Sequence, residues 1–412
     1  MMKGQIGGIE MGIDEEFNEY YKIDPNYKRY DSRAYFEMRR SKMTEEEVQK
    51  PRPRYNNLEG MADRMRKNLP GYSIVDYAFK DAAGTCETAP DGSSGMNTGY
   101  YSWSSLGHGR KPPSIPAWDA PPEEVNKVMT KAAKYYGACD VGFCEMDRRW
   151  VFARSGDREI VFEDVEQGYI TENKAVIPES HKWVIVILVP MEYTENSYAP
   201  TPLEVTSNMG YSRMHFTAGT LAEMIRGLGY HAIPCGNDTA FSVPLAIKAG
   251  LGHLSRNGRL INWKYGQLTR ICKIFTDLPV KPAEHMAPKG IVEFCDVCEK
   301  CSTLCPSGSV PTGPRTMFNA KYPDMNPGAL KWYNDESSCS DYWHEVGTGC
   351  SICLRCCNFS KAQGISHDVV KWFLRNVPQL NKFWVWSDDL MGYGKISNPR
   401  DYWDIPIENH KN

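Results

Sequence analysis

Four cysteines, Cys295, Cys298, Cys301 and Cys305, stand at C-x2-C-x2-C-x3-C spacing, and Pro306 closes the run. Two intervening residues let a backbone curl so that three thiolates reach three irons of one cubane. The fourth cysteine points away and serves a second cluster, as in two-cluster bacterial 4Fe–4S proteins. That arrangement demands more cysteines downstream, and Cys339, Cys350, Cys353, Cys356 and Cys357 supply them. Crossing the sets gives Cys295, Cys298, Cys301 and Cys357 for one 4Fe–4S cluster. Cys305, Cys339, Cys350 and Cys353 then hold the other. Cys350-x2-Cys353-x2-Cys356 is a competing register, and it would make Cys356 the last ligand in place of Cys357. Asn358 stands where a proline often follows that ligand. Zinc sites use C-x2-C pairs separated by a longer loop, and cysteines this close in sequence pair poorly as disulfides.

The elements that position these thiols belong to a chain of 412 residues, long enough for two or three domains and a large core. A net charge of −3 argues against the basic footprint of a nucleic-acid binder. Aromatic residues are plentiful, with 11 Trp and 23 Tyr, and such side chains suit the walls of a pocket for a flat or apolar ligand. Cys86, Cys139, Cys144, Cys235 and Cys272 are scattered and read as small buried hydrophobes. The longest apolar run, Trp183 to Val189, is too short to span a bilayer and reads as a buried central strand. Neither Arg39-Arg40 nor Arg148-Arg149 is followed by an apolar segment, so no export signal is legible. The chain is therefore expected to be cytoplasmic, or a mature form whose export segment has been removed.

Four regions follow from the pattern. Residues 1–115 form a charged, Tyr-rich wrapping region with a helix start at Thr44-Glu45-Glu46-Glu47 and a Gly/Ser/Pro-rich stretch from Asp81 to Pro122. The aromatic residues within that stretch favour a lid over a linker. Residues 116–285 form the core. Pro121-Pro122-Glu123-Glu124 opens a helix there, and strands are expected at Val141–Met146, Trp150–Ala153, Lys182–Val189, His231–Pro234 and Arg259–Trp263. Helices are expected at Tyr211–Leu228 and Ser242–Ala249, each stopped by a glycine. This alternation implies an α/β or α+β fold with layers on a central sheet. Residues 286–362 form the cysteine module. Residues 363–412 form a Trp- and Tyr-rich tail expected to cover a pocket.

One stretch carries a specific likeness. It runs through Gly229-Tyr230-His231-Ala232-Ile233-Pro234-Cys235-Gly236-Asn237, Ser242 to Gly252, Ser255-Arg256-Asn257-Gly258 and Arg270 to Pro279 into the cysteine motif. Over about residues 205–360 this resembles the corrinoid-dependent respiratory reductive dehalogenases, and most of all those acting on chloroalkanes such as chloroform and trichloroethane. The resemblance implies a nitroreductase-like cobalamin-binding core joined to a ferredoxin-like module with two 4Fe–4S clusters. Tyr211 falls where the family has its proton-donating tyrosine, Asn237 on a pocket asparagine and Arg270 on the basic residue beside the tyrosine. Alone, Tyr211 would read as a packing residue and Arg270 as a surface charge. A guanidinium beside a phenol favours the phenolate, which makes the hydroxyl a readier proton donor. Cys235 stands where the family usually has Ser.

Further expectations follow from the same likeness. Gly236, Asn237, Ser242, Gly250, Gly252, Asn257 and Gly258 would contact the corrin, with the glycines admitting close backbone approach. The Asp-x-His-x-x-Gly motif is absent; Asp341 to Gly347 comes within one residue of it at the wrong spacing. Base-off cobalamin is therefore expected, with His215 and His253 as core or surface histidines. Trp103, Trp384, Trp386, Met391 and Tyr393 would wall the substrate pocket. The implied partners are a small halogenated organic substrate, a small integral membrane anchor protein and an electron donor, either the quinone pool or a reductase, with no nucleic acid. The mature form would be peripheral on the outer face of the cytoplasmic membrane, and otherwise cytoplasmic. The competing readings are an epoxyqueuosine reductase-like cobalamin enzyme and a polyferredoxin-type electron carrier. The carrier would leave most of the first 290 residues without a role.

Overall fold

The computed structural model describes residues 12–35, 58–87, 89, 93–362 and 364–406. The expected helix start at Thr44 lies outside them. Strands in chain order are β1 (Asp140–Glu145), β2 (Arg154–Ser155), β3 (Arg158–Glu163), β4 (Tyr169–Ile170), β5 (Lys174–Pro178), β6 (Trp183–Pro190), β7 (Ala232–Cys235), β8 (His253–Leu254), β9 (Leu260–Ile261) and β10 (Thr269–Thr276).

The apolar run in β6 has no polar face, so it must be covered on both sides. It sits inside a four-stranded sheet of order β1-β6-β10-β7, and Val184 to Val189 are fully buried. Every pairing in this sheet is antiparallel, which makes the fold α+β. One face packs Val186, Leu188, Cys235 and Phe275 against helix Ser242–Lys248. The other packs Ile185, Ile187, Cys272 and Ile274 against helices Pro122–Tyr135 and Thr201–Gly227. A smaller mixed sheet, β2-β3-β5-β4, and the hairpin β8-β9 complete the strands. From the N-terminal segment, Arg29 donates to the carbonyls of Val151, Phe152 and Ile160.

Several expected elements change their bounds. The helix expected from Tyr211 begins ten residues earlier, at Thr201. The strand expected at Trp150–Ala153 is a 3-10 turn, Arg148–Trp150, followed by one bridge between Val151 and Ala240. Its backbone is committed elsewhere, with Phe152 N donating to Thr239 O at 2.9 Å and Ala153 N to Tyr30 O at 2.7 Å. Arg259–Trp263 contracts to β9. Strand β10, which carries Arg270, was not expected as a strand. No helix among the described residues is long and apolar enough to cross a membrane.

The cysteine region contains helices Ile291–Val297, Glu336–Val346 and Ile352–Arg355. The tail helices Ile365–Asn376 and Asn381–Leu390 set Leu374 and Trp384 against Phe294, Cys295 and Cys298.

Candidate active site

A cleft of about 610 Å³ opens where the two faces of the central sheet and the cysteine region meet. Tyr211, Gly236, Asn237, Ser242 and Arg270 line it, and so do Cys305, Cys339, Cys350 and Cys353. Tyr211 comes from the long helix Thr201–Gly227 on one sheet face. Arg270 comes from β10, and Asn237 from the loop between β7 and helix Ser242–Lys248 on the other face.

These three side chains meet at one atom. Asn237 Nδ2 donates to the Tyr211 hydroxyl oxygen at 3.2 Å, and Arg270 Nη1 donates to it at 3.1 Å. Arg270 also lies over the Tyr211 ring, its guanidinium carbon 4.4 Å from the centroid, a cation–π contact. With two donors on its oxygen, the phenol must direct its own proton elsewhere. The residue before Tyr211 makes the stacking possible, because a Cβ on Gly210 would stand 2.7 Å from Arg270 Cγ. Arg270 Nε is buried and has no hydrogen-bond partner among the described residues.

Four carboxyl side chains, Glu87, Glu204, Asp238 and Glu336, line the cleft with Arg270. Burial pushes Glu204 up to about 7, with Arg270 and Lys80 pulling the other way. Burial likewise raises Glu87, again against Arg270. The segment 81–122 contributes Glu87, Ser94 and Gly95 to the lining. It is tied down beside the cleft, where Tyr101 stacks on His215 with ring centroids 3.8 Å apart. His215 is buried, lines the cleft and holds its Nδ1 2.9 Å from the Tyr211 carbonyl. His253 is a core histidine, with Nδ1 2.9 Å from Tyr21 Oη and Nε2 2.8 Å from the Ala287 carbonyl.

The thiols fall into two neighbourhoods. Burial pushes Cys295 well above the ordinary thiol range, and Cys357, Cys298 and Cys301 push it further. Burial also raises Cys339, Cys350 and Cys353; Cys339 is raised further by Cys353 and Cys350, Cys350 by Cys353 and Cys305, and Cys353 by Cys305. Such mutual repulsion needs a cationic partner before these sulfurs can ionise together. Cys356 is raised by burial and by neighbours from both groups, and its thiol donates to the Cys353 carbonyl at 3.6 Å. Among the described residues no three His, Cys, Asp or Glu side chains stand close enough to hold one metal ion. A cubane separates its thiolates further than a single ion does.

Other expected site residues lie elsewhere. Gly250, Gly252, Asn257 and Gly258 do not line the cleft. Gly250 ends a helix at φ 74°, and Gly252 sits under the β8-β9 hairpin, where a Cβ would stand 2.1 Å from the Ile261 carbonyl oxygen. Asn257 is buried and donates to Gln267 Oε1 at 2.8 Å and to the Cys353 carbonyl at 3.3 Å. Gly258 turns beside Asn334. Trp103 is buried beside a separate cavity of about 290 Å³ with His181 and His231. Among the described residues none after Leu354 lines the cleft. Trp384, Met391 and Tyr393 instead line a small cavity of about 130 Å³ over Phe294. Trp386 is 58% exposed. The tail is drawn to the Cys295 side because its apolar residues bury against that core. Gly210, Glu87 and Glu204 carried no spacing signal that marked them in the sequence.

No protein-family model matches the chain. It is 33% identical to the tetrachloroethene reductive dehalogenase of Sulfurospirillum multivorans over 325 residues, covering 75% of this chain and 64% of that protein. A tetrachloroethene reductive dehalogenase of Desulfitobacterium hafniense is 28% identical over 380 residues, covering 82% of this chain and 68% of the relative. The chain thus spans about two thirds of the length of these relatives. In fold it is similar to a solved reductive dehalogenase described for B12-dependent dehalogenation, with TM-score 0.62 and 19% identity over 92% of this chain and 49% of that one. The cysteine run, the mixed helix-and-sheet core and these comparisons agree: the chain is similar to reductive dehalogenases in sequence and in fold.

Proposed function

We propose that this protein reduces a small chlorinated hydrocarbon, R–Cl plus two electrons and a proton giving R–H and chloride. One observation carries the reading: Tyr211, Asn237 and Arg270 converge in a cleft that four of the motif cysteines also line. The residues suit a corrinoid, since the lining combines apolar Met214, Val243, Ile271 and Leu354 with main chain at Gly95, Gly236 and Gly349. Asp238 adds a buried Oδ2, without a partner among the described residues, that the peripheral amides of a corrin would satisfy. Bound there base-off, cobalamin would supply the low-valent cobalt that breaks the carbon–halogen bond. Two 4Fe–4S clusters on the thiol quartets would supply the electrons, with the quartet Cys305, Cys339, Cys350 and Cys353 at the cleft.

The protein's own part is to hold a proton at Tyr211 Oη and release it to the developing carbanion. Arg270 and Asn237 stabilise the oxygen left behind. The segment 81–122 limits water at the cleft. Chloroform is the substrate to try first on the sequence resemblance, and tetrachloroethene on the named relatives. A small membrane anchor protein and a quinone-linked or reductase donor complete the proposed setting, on the outer face of the cytoplasmic membrane. An epoxyqueuosine reductase is disfavoured by the net charge of −3. The test is chloride release by anaerobically reconstituted protein under a viologen reductant, across chloroform, tetrachloroethene and a chlorophenol. Release from the chlorinated one- and two-carbon compounds is expected. No release from any of the three would overturn the reading.

A further inference from the structure

Lys273 is fully buried on β10, three residues after Arg270 and on the opposite face of the strand. Among the described residues no carboxylate lies within ion-pair distance of it, and burial draws its basicity down. An ammonium at such a place is costly, so what it touches matters. Its Nζ donates to the Gly236 carbonyl and, at 2.9 Å, to Ser242 Oγ. Ser242 Oγ in turn lies 3.5 Å from Asn237 Oδ1, and Asn237 Nδ2 donates to Tyr211 Oη.

The donor–acceptor inventory gives this chain one direction. A lysine ammonium only donates. Ser242 therefore accepts from Lys273, and its own proton is free for Asn237 Oδ1. That fixes which end of the Asn237 amide is oxygen, and the NH2 end must face Tyr211. With Arg270 supplying the second donor, the phenol oxygen has its acceptor sites filled and its proton turned toward the cleft. The Gly236 contact pins the loop that carries Asn237 to the same lysine.

We propose that Lys273 is a positioning residue that acts through Ser242 to set the orientation of the Asn237 amide and so aim the Tyr211 proton into the cleft. The inference rests on Tyr211 being the proton donor, so that reading is tested alongside it. Ser242→Ala cuts the relay and leaves the buried lysine in place, while Ser242→Thr keeps the hydroxyl. In the reconstituted holoenzyme Ser242→Ala is expected to lower kcat about tenfold, the worth of one such hydrogen bond, with KM and the cobalt and iron contents unchanged. Ser242→Thr is expected to restore kcat to within about twofold. In mixed H2O and D2O, Ser242→Ala should change the deuterium fraction of the product, because protons then come from less ordered donors. Wild-type kcat and wild-type deuterium fraction in Ser242→Ala, or no rescue by Thr, would overturn the inference. Tyr211→Phe separates the two failures: if it keeps wild-type kcat, the donor reading itself falls. If it loses activity while Ser242→Ala does not, only the role of Lys273 falls.

Discussion

Arg270 lies across the face of Tyr211, 4.4 Å from guanidinium carbon to ring centroid, while donating from Nη1 to the hydroxyl of the same residue at 3.1 Å. One side chain thus fixes both the ring plane and the oxygen. A lysine offers a point charge without the planar fork, so it cannot satisfy both contacts at once.

Tyr211→Phe removes the proton while leaving the ring for Arg270 to cover. The expected result is a fall in kcat of about 10²- to 10⁴-fold, the usual worth of a positioned acid, with corrinoid content unchanged. Arg270→Lys should give a smaller loss than Tyr211→Phe. Steady-state chloride release and the cobalt content of the same preparations check both.

Two adjacent cysteines compete for one ligand position, and iron analysis distinguishes them. Cys357 belongs to the neighbourhood of Cys295, Cys298 and Cys301, whereas Cys356 is buried and its thiol is engaged with the Cys353 carbonyl. Cys357→Ser is expected to drop anaerobically assembled protein from about eight irons toward about four, and Cys356→Ser to keep nearly all of them. The reverse pattern would assign the alternative register.

Glu223 gives a prediction in acid. Burial opposes its charge, but N–H groups of Gly109, Leu106 and His108 and the Arg226 guanidinium outweigh that and hold the carboxyl at about 2. Its ordinary value is 4.5, so the folded state holds the proton less tightly than the unfolded chain. Its contribution to stability is therefore full above about pH 4.5 and is lost as pH falls toward about 2. Glu223→Gln should lower the melting temperature at neutral pH, and the gap to the wild type should close between about pH 4.5 and about 2.5. A constant gap over that range would count against the carboxylate's role in holding the 105–109 loop.

Two glycine-to-alanine changes should fail in different ways. At Gly252 the backbone is at φ 155° and the new Cβ would meet the Ile261 carbonyl oxygen at 2.1 Å. Neither group can yield, so Gly252→Ala should lower the melting temperature severely. At Gly210 the clash, at 2.7 Å, is with the Arg270 side chain. Gly210→Ala should fold, shift Arg270 off the Tyr211 ring and lower kcat. Melting curves and kinetics on the pair check the contrast.

Local sequence carried much of this protein. The cysteine run is short-range geometry, so the spacing of Cys295, Cys298, Cys301 and Cys305 points to cluster ligation without any fold. The apolar run of β6 states its own burial, and the glycines at 229 and 250 mark helix ends. The candidate trio was named only through likeness to a family, because nothing in the local pattern distinguishes Tyr211 or Arg270 from ordinary residues. Tertiary structure decided the rest. Which aromatic side chains border the cleft depends on where helices pack, and Trp384 and Tyr393 followed the apolar surface over Phe294 instead. The relay through Lys273 joins residues from both faces of one sheet. A hydrogen-bond path that crosses a sheet has no period along the chain, so it becomes visible only when the strands have paired.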